Sequence, residues 1–280
     1  MNKLWVQYQG GLGNQLFSWA AGYAMARKLN CELVLVPKAR NQPEFDLWRF
    51  YCAFSRRHRP FDQRVFRVSA LFGRGPHEGV KVEKARGFDP EVAAVSPGDF
   101  IGGYLQSPKY FQDYAHEIIT SLQTLRVKSA ALAGYHSRFS GMEWIAVHVR
   151  LGDYLNFPET YLIPSATYYS RAIRQVKAEI PNARIVLFSN DVDGARKLVP
   201  DSDEIIGPSD LKSAAETMHL MSTATSIVGA NSTLSWWSAY IGSGVSGRHV
   251  FPSRWFSNPR LSAAELLLPE FETLDPETGL

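Results

Sequence analysis

Short apolar runs recur along the chain, and nearly all of them stop at a polar or glycine-bearing turn. Leu4–Tyr8, Glu32–Val36, Ile145–Val149, Arg184–Phe188, Glu204–Ile206, Thr225–Gly229 and His249–Phe251 have the length and the β-branched or aromatic content of strands. Phe100–Ser107 reads as a strand and its turn. Between these runs lie segments of helical pattern: Leu16–Leu29, Pro108–Leu125, Ser165–Glu179 with Ser165 as its N-cap, Val192–Leu198, Ser213–Met221 and Leu234–Ile241. Strands that alternate with helices predict βαβ units and parallel sheets. Small and polar residues over Gly134–Gly141 predict a linker, so the chain divides into residues 1–138 and 139–280, each a doubly wound α/β half. A ligand is expected in the cleft where strand ends meet. The acidic stretch Ser262–Leu280 is expected to be a helix followed by a loose end.

Composition narrows this picture. With 280 residues, 45% hydrophobic and 20% charged, the chain has ample material for a buried core. A formal charge of +3 permits an anionic small ligand but gives no nucleic-acid signature. Cys31 and Cys52 form neither a disulfide framework nor a metal-ligand spacing, which points to a reducing compartment. No apolar run approaches the ~18 residues of a membrane span, and the first residues show no signal core. The expected location is cytoplasmic, with at most peripheral contact to the inner membrane. Basic residues from Arg56 to Arg86, among aromatics such as Trp48, Tyr51 and Phe54, suit an anionic lipid surface or a charged acceptor. A solvated face is the plainer reading.

Four stretches carry candidate chemistry. The first is Ile145–Tyr154, which places His148 and Arg150 two residues apart, on one side of a strand end, before the break at Gly152-Asp153. A guanidinium there can grip phosphate oxygens in bidentate fashion. Asp153 can orient Arg150 or accept a proton. The second, Gly10-Gly11-Leu12-Gly13-Asn14-Gln15, is a glycine turn without the dinucleotide spacing or a Walker lysine. Its backbone can approach a ligand, and Asn14 and Gln15 offer amides to sugar hydroxyls or phosphates. The third, Phe188-Ser189-Asn190-Asp191, ends another strand with a carboxylate fit for a base N–H or a ribose hydroxyl. Asp191-Val192-Asp193 also matches a metal-holding Asp-x-Asp pattern, but a first-turn helix acid explains Asp193 more simply. The fourth, Asn231-Ser232-Thr233, opens a helix whose free N–H groups and hydroxyls suit an anion. Trp236 and Trp237 within that helix read as core rather than as a sugar platform.

These blocks resemble the motifs of the α-1,2-fucosyltransferases, glycosyltransferase family 11. Gly10-Gly11-Leu12-Gly13-Asn14-Gln15-Leu16-Phe17 resembles the family's N-terminal signature. His148-Val149-Arg150-Leu151-Gly152-Asp153-Tyr154 resembles its His-x-Arg-Arg-Gly-Asp-Tyr motif. Phe188-Ser189-Asn190-Asp191 is similar to Phe-Ser-Asp-Asp, and Ala230-Asn231-Ser232-Thr233-Leu234-Ser235-Trp236-Trp237 to Ala-Asn-Ser-Thr-Phe-Ser-Trp-Trp. The resemblance implies a GT-B fold: two Rossmann-like halves facing across a donor-binding cleft. It implies transfer of L-fucose from GDP-fucose, with inversion, to the 2-hydroxyl of a galactose-terminated oligosaccharide or lipid-linked glycan. No metal or other cofactor is implied. Arg150 would neutralise the diphosphate and His148 would contact the nucleotide or support the arginine. Ser189 and Asp191 would sit near the guanine, Asn231, Ser232 and Thr233 near the phosphates, and Gly11, Gly13 and Asn14 over the fucosyl-phosphate end. Arg150 and Asp153 are then the catalytic candidates, with Glu159 a second candidate base.

Two charged positions of the pattern are lost: Leu151 stands where the family has a second arginine, and Asn190 where it has an aspartate. Residues 40–130 match no recognisable motif, and acceptor choice is expected to lie there. Two other readings stay open: a GDP-fucose enzyme forming an α-1,6 or α-1,3 linkage, and a sugar-binding homologue with little turnover.

Overall fold

A computed structural model describes residues 2–38, 66–68 (backbone only), 79–84, 86–124, 129–242 and 247–280. Cys52 and most of the basic and aromatic segment, from Phe45 through Arg64 and at Arg74, lie outside the described residues. The chain forms two compact units, Met1–Arg126 and Val127–Leu280.

The first unit contains β1 (Lys3–Tyr8), α1 (Leu12–Leu29), β2 (Glu32–Pro37), β3 (Phe66–Val68), β4 (Val80–Val82), α2 (Pro90–Ala93), β5 (Phe100–Gly102) and α3 (Ala115–Gln123). Its sheet is parallel in the order β3-β2-β1-β5-β4. α1 begins at Leu12, so most of the expected glycine turn is already helix. Leu12, Leu16 and Phe17 are buried there, and their burial outweighs the low helix propensity of Gly13. Only Gly10, at φ 71°, adopts the left-handed backbone that glycine favours. Pro108–Leu125 starts as two 3₁₀ turns before α3.

The second unit contains α4 (Ala130–Phe139), β6 (Trp144–Val149), α5 (Ala166–Glu179), β7 (Arg184–Ser189), α6 (Val192–Leu198), β8 (Glu204–Ile206), α7 (Ala214–Met221), β9 (Ser226–Val228), α8 (Thr233–Gly242), β10 (His249–Pro252) and β11 (Phe271–Leu274). Its six strands are parallel in the order β11-β10-β9-β6-β7-β8. Ile145, Val147 and Val149 of β6 join Tyr168, Tyr169, Ala172 and Val176 of α5 in one apolar core. Strand alternation turns Ala146 and His148 to the opposite face.

Two expectations are corrected. Gly134–Gly141 is not a linker: α4 runs through it to Phe139. Ser129 caps that helix by accepting from the Leu132 N–H at 3.2 Å, and Leu132 and Phe139, two turns apart, bury one stripe. Nor does the C-terminal segment end loosely. After a 3₁₀ turn at Ala264–Leu266, β11 pairs with β10 from His249↔Phe271 to Pro252↔Leu274. Phe271 stacks on Phe251 with ring centroids 4.7 Å apart.

Candidate functional site

Counting β6 as first, the second sheet runs 3-2-1-4-5-6, and its order reverses between β6 and β9. In open parallel sheets a ligand binds outside the carboxyl ends of the strands at such a reversal. His148, Arg150, Asp153, Ser189, Asp191, Asn231, Ser232 and Thr233 all lie at or just beyond the carboxyl ends of β6, β7 and β9. Gly11, Gly13 and Asn14 lie in the first unit, at the carboxyl end of β1, where that sheet also reverses, between β1 and β5.

Arg150 follows the last residue of β6, with a third of its side chain exposed. Its Nη2 stands 2.8 Å from Asp153 Oδ1, and its guanidinium lies 5.6 Å from the Tyr154 ring centroid. His148 is buried. Burial, with the nearby Arg150 charge, pushes its pKa down to about 3, so the ring is neutral and leaves the positive charge to Arg150. Among the described residues His148 Nδ1 has no hydrogen-bond partner.

The loops at this edge are tied together. The Tyr154 hydroxyl donates to the Asn231 carbonyl at 3.1 Å, joining the turn after β6 to the turn after β9. Tyr154 also stacks on Tyr161 at 4.1 Å and 8°, and Tyr161 packs toward Phe256. Asn231 is 2% exposed. Its Nδ2 donates to the Leu162 and Trp255 carbonyls at 2.5 and 2.9 Å, so the side chain fastens two further loops. Ser232 accepts the Leu234 N–H at 3.3 Å at the start of α8, and Trp236 and Trp237 are wholly buried, as expected. Ser189 Oγ is bonded twice to the backbone of Asp191, and Asp191 caps α6 by accepting from the Gly194 N–H at 3.0 Å. Among the described residues no group of three or more His, Cys, Asp or Glu is placed to hold a metal ion.

In the first unit, Asn14 Oδ1 accepts from Gln106 Nε2 at 2.7 Å, and Gln106 Oε1 accepts from Arg86 at 3.0 Å. Glu83, at the end of β4, accepts the Tyr104 and Leu105 N–H groups and so holds the turn that delivers Gln106. Leu151 is buried in the core beneath α5 and α6 rather than lining the site. Sequence reasoning missed the roles of Tyr154 and Tyr161, and it named Asn190 and Asn231 without their clamping contacts. Tyr154 was within reach, since it stands inside the central motif. Apart from Asp153, the partners of the amides are main-chain groups, which leave no trace in side-chain pattern.

A parallel sheet with an arginine and a helix start at its topological reversal suits the binding of an anionic group such as a phosphate. The model of glycosyl transferase family 11 matches residues 89–274, well over half of the chain, and the chain belongs to that family. It is 24% identical to an Escherichia coli α-1,2-colitosyltransferase, over 94% of this chain and 96% of the relative. It is 23% identical to the E. coli O-antigen biosynthesis glycosyltransferase WbnK, over 89% and 93%. Among solved structures, the fucosyltransferase NodZ from Bradyrhizobium superposes with a TM-score of 0.56 at 14% identity, covering 85% of this chain and 92% of NodZ. The fold is thus the α/β GT-B class, and the protein is a glycosyltransferase. Among the described residues no helix is long and apolar enough to cross a membrane.

Proposed function

We propose that this chain transfers L-fucose from GDP-fucose, with inversion, to the 2-hydroxyl of a galactose-terminated glycan, free or lipid-linked. The carrying observation is Arg150, held between Asp153 and Tyr154 at the sheet's reversal. As the anomeric C–O bond breaks, positive charge grows on the sugar and negative charge on the departing GDP. Arg150 and the N–H groups that open α8 near Ser232 and Thr233 stabilise that leaving charge, more in the transition state than in the ground state. The acceptor oxygen forms the new bond from the opposite face and gives up its proton to a carboxylate, Asp153 or Glu159. Asp153 also orients Arg150. His148 packs behind the arginine, Ser189 and Asp191 line the base end, Asn231 supports the phosphate turn, and Gly11, Gly13 and Asn14 serve the sugar end. The charge on Arg150 takes the place of a metal.

A second reading concerns the donor. The colitosyltransferase relative, aligned over nearly its whole length, favours GDP-colitose, whose sugar is fucose without its 3-hydroxyl. Assaying both nucleotide sugars with a panel of galactosides, with product linkage read by NMR, decides between them. Arg150→Ala should lower turnover on the order of 10²–10³-fold or more while circular dichroism stays unchanged. Near-normal turnover in that variant removes Arg150 from the mechanism. GDP release without any glycoside product would point to a binding homologue.

A further inference from the structure

Asn190 makes a set of contacts that the transfer mechanism does not use. Its Oδ1 accepts the Leu151 N–H at 3.0 Å, and its Nδ2 donates to the Leu151 carbonyl at 3.3 Å and to Asp153 Oδ1 at 3.4 Å. Only an amide side chain of this length both accepts and donates in this way. An aspartate would still accept the N–H. Its second oxygen would then face the Leu151 carbonyl and the Asp153 carboxylate, all of them acceptors. The neighbouring backbone leaves room for the amide: Gly152 stands at φ 57°, and a Cβ there would lie 2.4 Å from Asn190 Nδ2. Asp153 in turn holds Arg150 at 2.8 Å. A continuous polar path therefore runs from the end of β7 through Asn190 and Asp153 to the guanidinium.

Leu151 turns its side chain into the core, within 2.7 Å of where a Cβ on Gly194 would stand, and hands its main chain to Asn190. We propose that Asn190 is a positioning residue for Arg150: its amide clasps the Leu151 main chain and Asp153, and through Asp153 it fixes the guanidinium. The proposal rests on the reading that Arg150 grips the diphosphate of the donor.

The test compares Asn190→Asp and Asn190→Ala, with Arg150→Ala as reference. The readouts are GDP affinity by calorimetry, donor and acceptor KM, kcat and melting temperature. Both Asn190 variants should lose tenfold or more in donor kcat/KM and in GDP affinity, with acceptor KM unchanged. If Asn190→Ala does not fold, Asn190→Gln serves in its place: it keeps both amide functions but displaces them by one methylene, and it should weaken GDP binding without altering acceptor KM. Asn190 variants within twofold of the parent overturn the positioning role. If Arg150→Ala itself retains GDP affinity, the diphosphate reading fails. If it loses GDP affinity while the Asn190 variants keep theirs, only the positioning proposal fails.

Discussion

Asn231 shows how a residue with the expected chemistry can serve the site by a different route. Its amide nitrogen donates to two main-chain carbonyls, Leu162 and Trp255, while its own carbonyl oxygen is buried without a hydrogen-bond partner among the described residues. A clamp of this kind depends on the donor half of the amide. Asn231→Asp keeps the shape but sets a carboxylate oxygen against the two carbonyls. Asn231→Ala only leaves them unpaired, at about 1–3 kcal/mol by itself. The aspartate variant should therefore be the less stable of the two, in urea unfolding followed by tryptophan fluorescence. Equal stabilities would mean that the two carbonyl bonds contribute little.

At the scale of elements, β1, β2, β5 to β10 and the helices α5, α6, α7 and α8 were legible because each couples a compact apolar run to a stop signal or cap. Ser165 is an example: it accepts the Tyr168 N–H at 3.2 Å, as its position before the helix implied. α4 was hidden because its buried stripe consists of Leu132 and Phe139 alone, within a run that otherwise reads as linker. β11 was hidden because Glu272 and Thr273 separate its two buried residues, so no apolar run announces it. Its stability comes from pairing with β10, a contact between segments about twenty residues apart in sequence. Truncating Phe271, 6% exposed and stacked on Phe251, should cost about 3–5 kcal/mol. A Phe271→Ala loss below about 1 kcal/mol in denaturant unfolding would show that this strand adds little. Of the site, residue types and their place at strand ends were legible. The clasps that orient them were not, because those clasps bind main chain.

Across the whole chain, the two units should respond to acid with opposite sign. In the second unit, burial lowers the pKa of His136, of His148 to about 3 and of His249 to about 4. A histidine lowered on folding binds its proton more readily when unfolded, so stability is complete above about pH 6.5 and falls as pH drops toward the folded value. For the deeply buried His148 and His249 the slope is about 1.4 kcal/mol per pH unit each, fully developed a unit below the unfolded pKa. In the first unit, burial raises Glu83, more than the Tyr104 and Leu105 N–H groups lower it. A carboxyl raised on folding does the reverse: its contribution is complete below the unfolded value and is lost as pH rises through the folded one. Native-state hydrogen exchange, corrected for intrinsic rates and read separately for amides of β1 and β6 at pH 7, 6 and 5, compares the two. Protection of β6 should fall steeply with acid while that of β1 holds or rises. The β6 loss should shrink in His249→Asn, whose amide oxygen can keep the Ile227 N–H bond that His249 Nδ1 accepts at 3.2 Å. A parallel decline in both strands would mean that general charge repulsion, rather than these buried groups, governs acid unfolding.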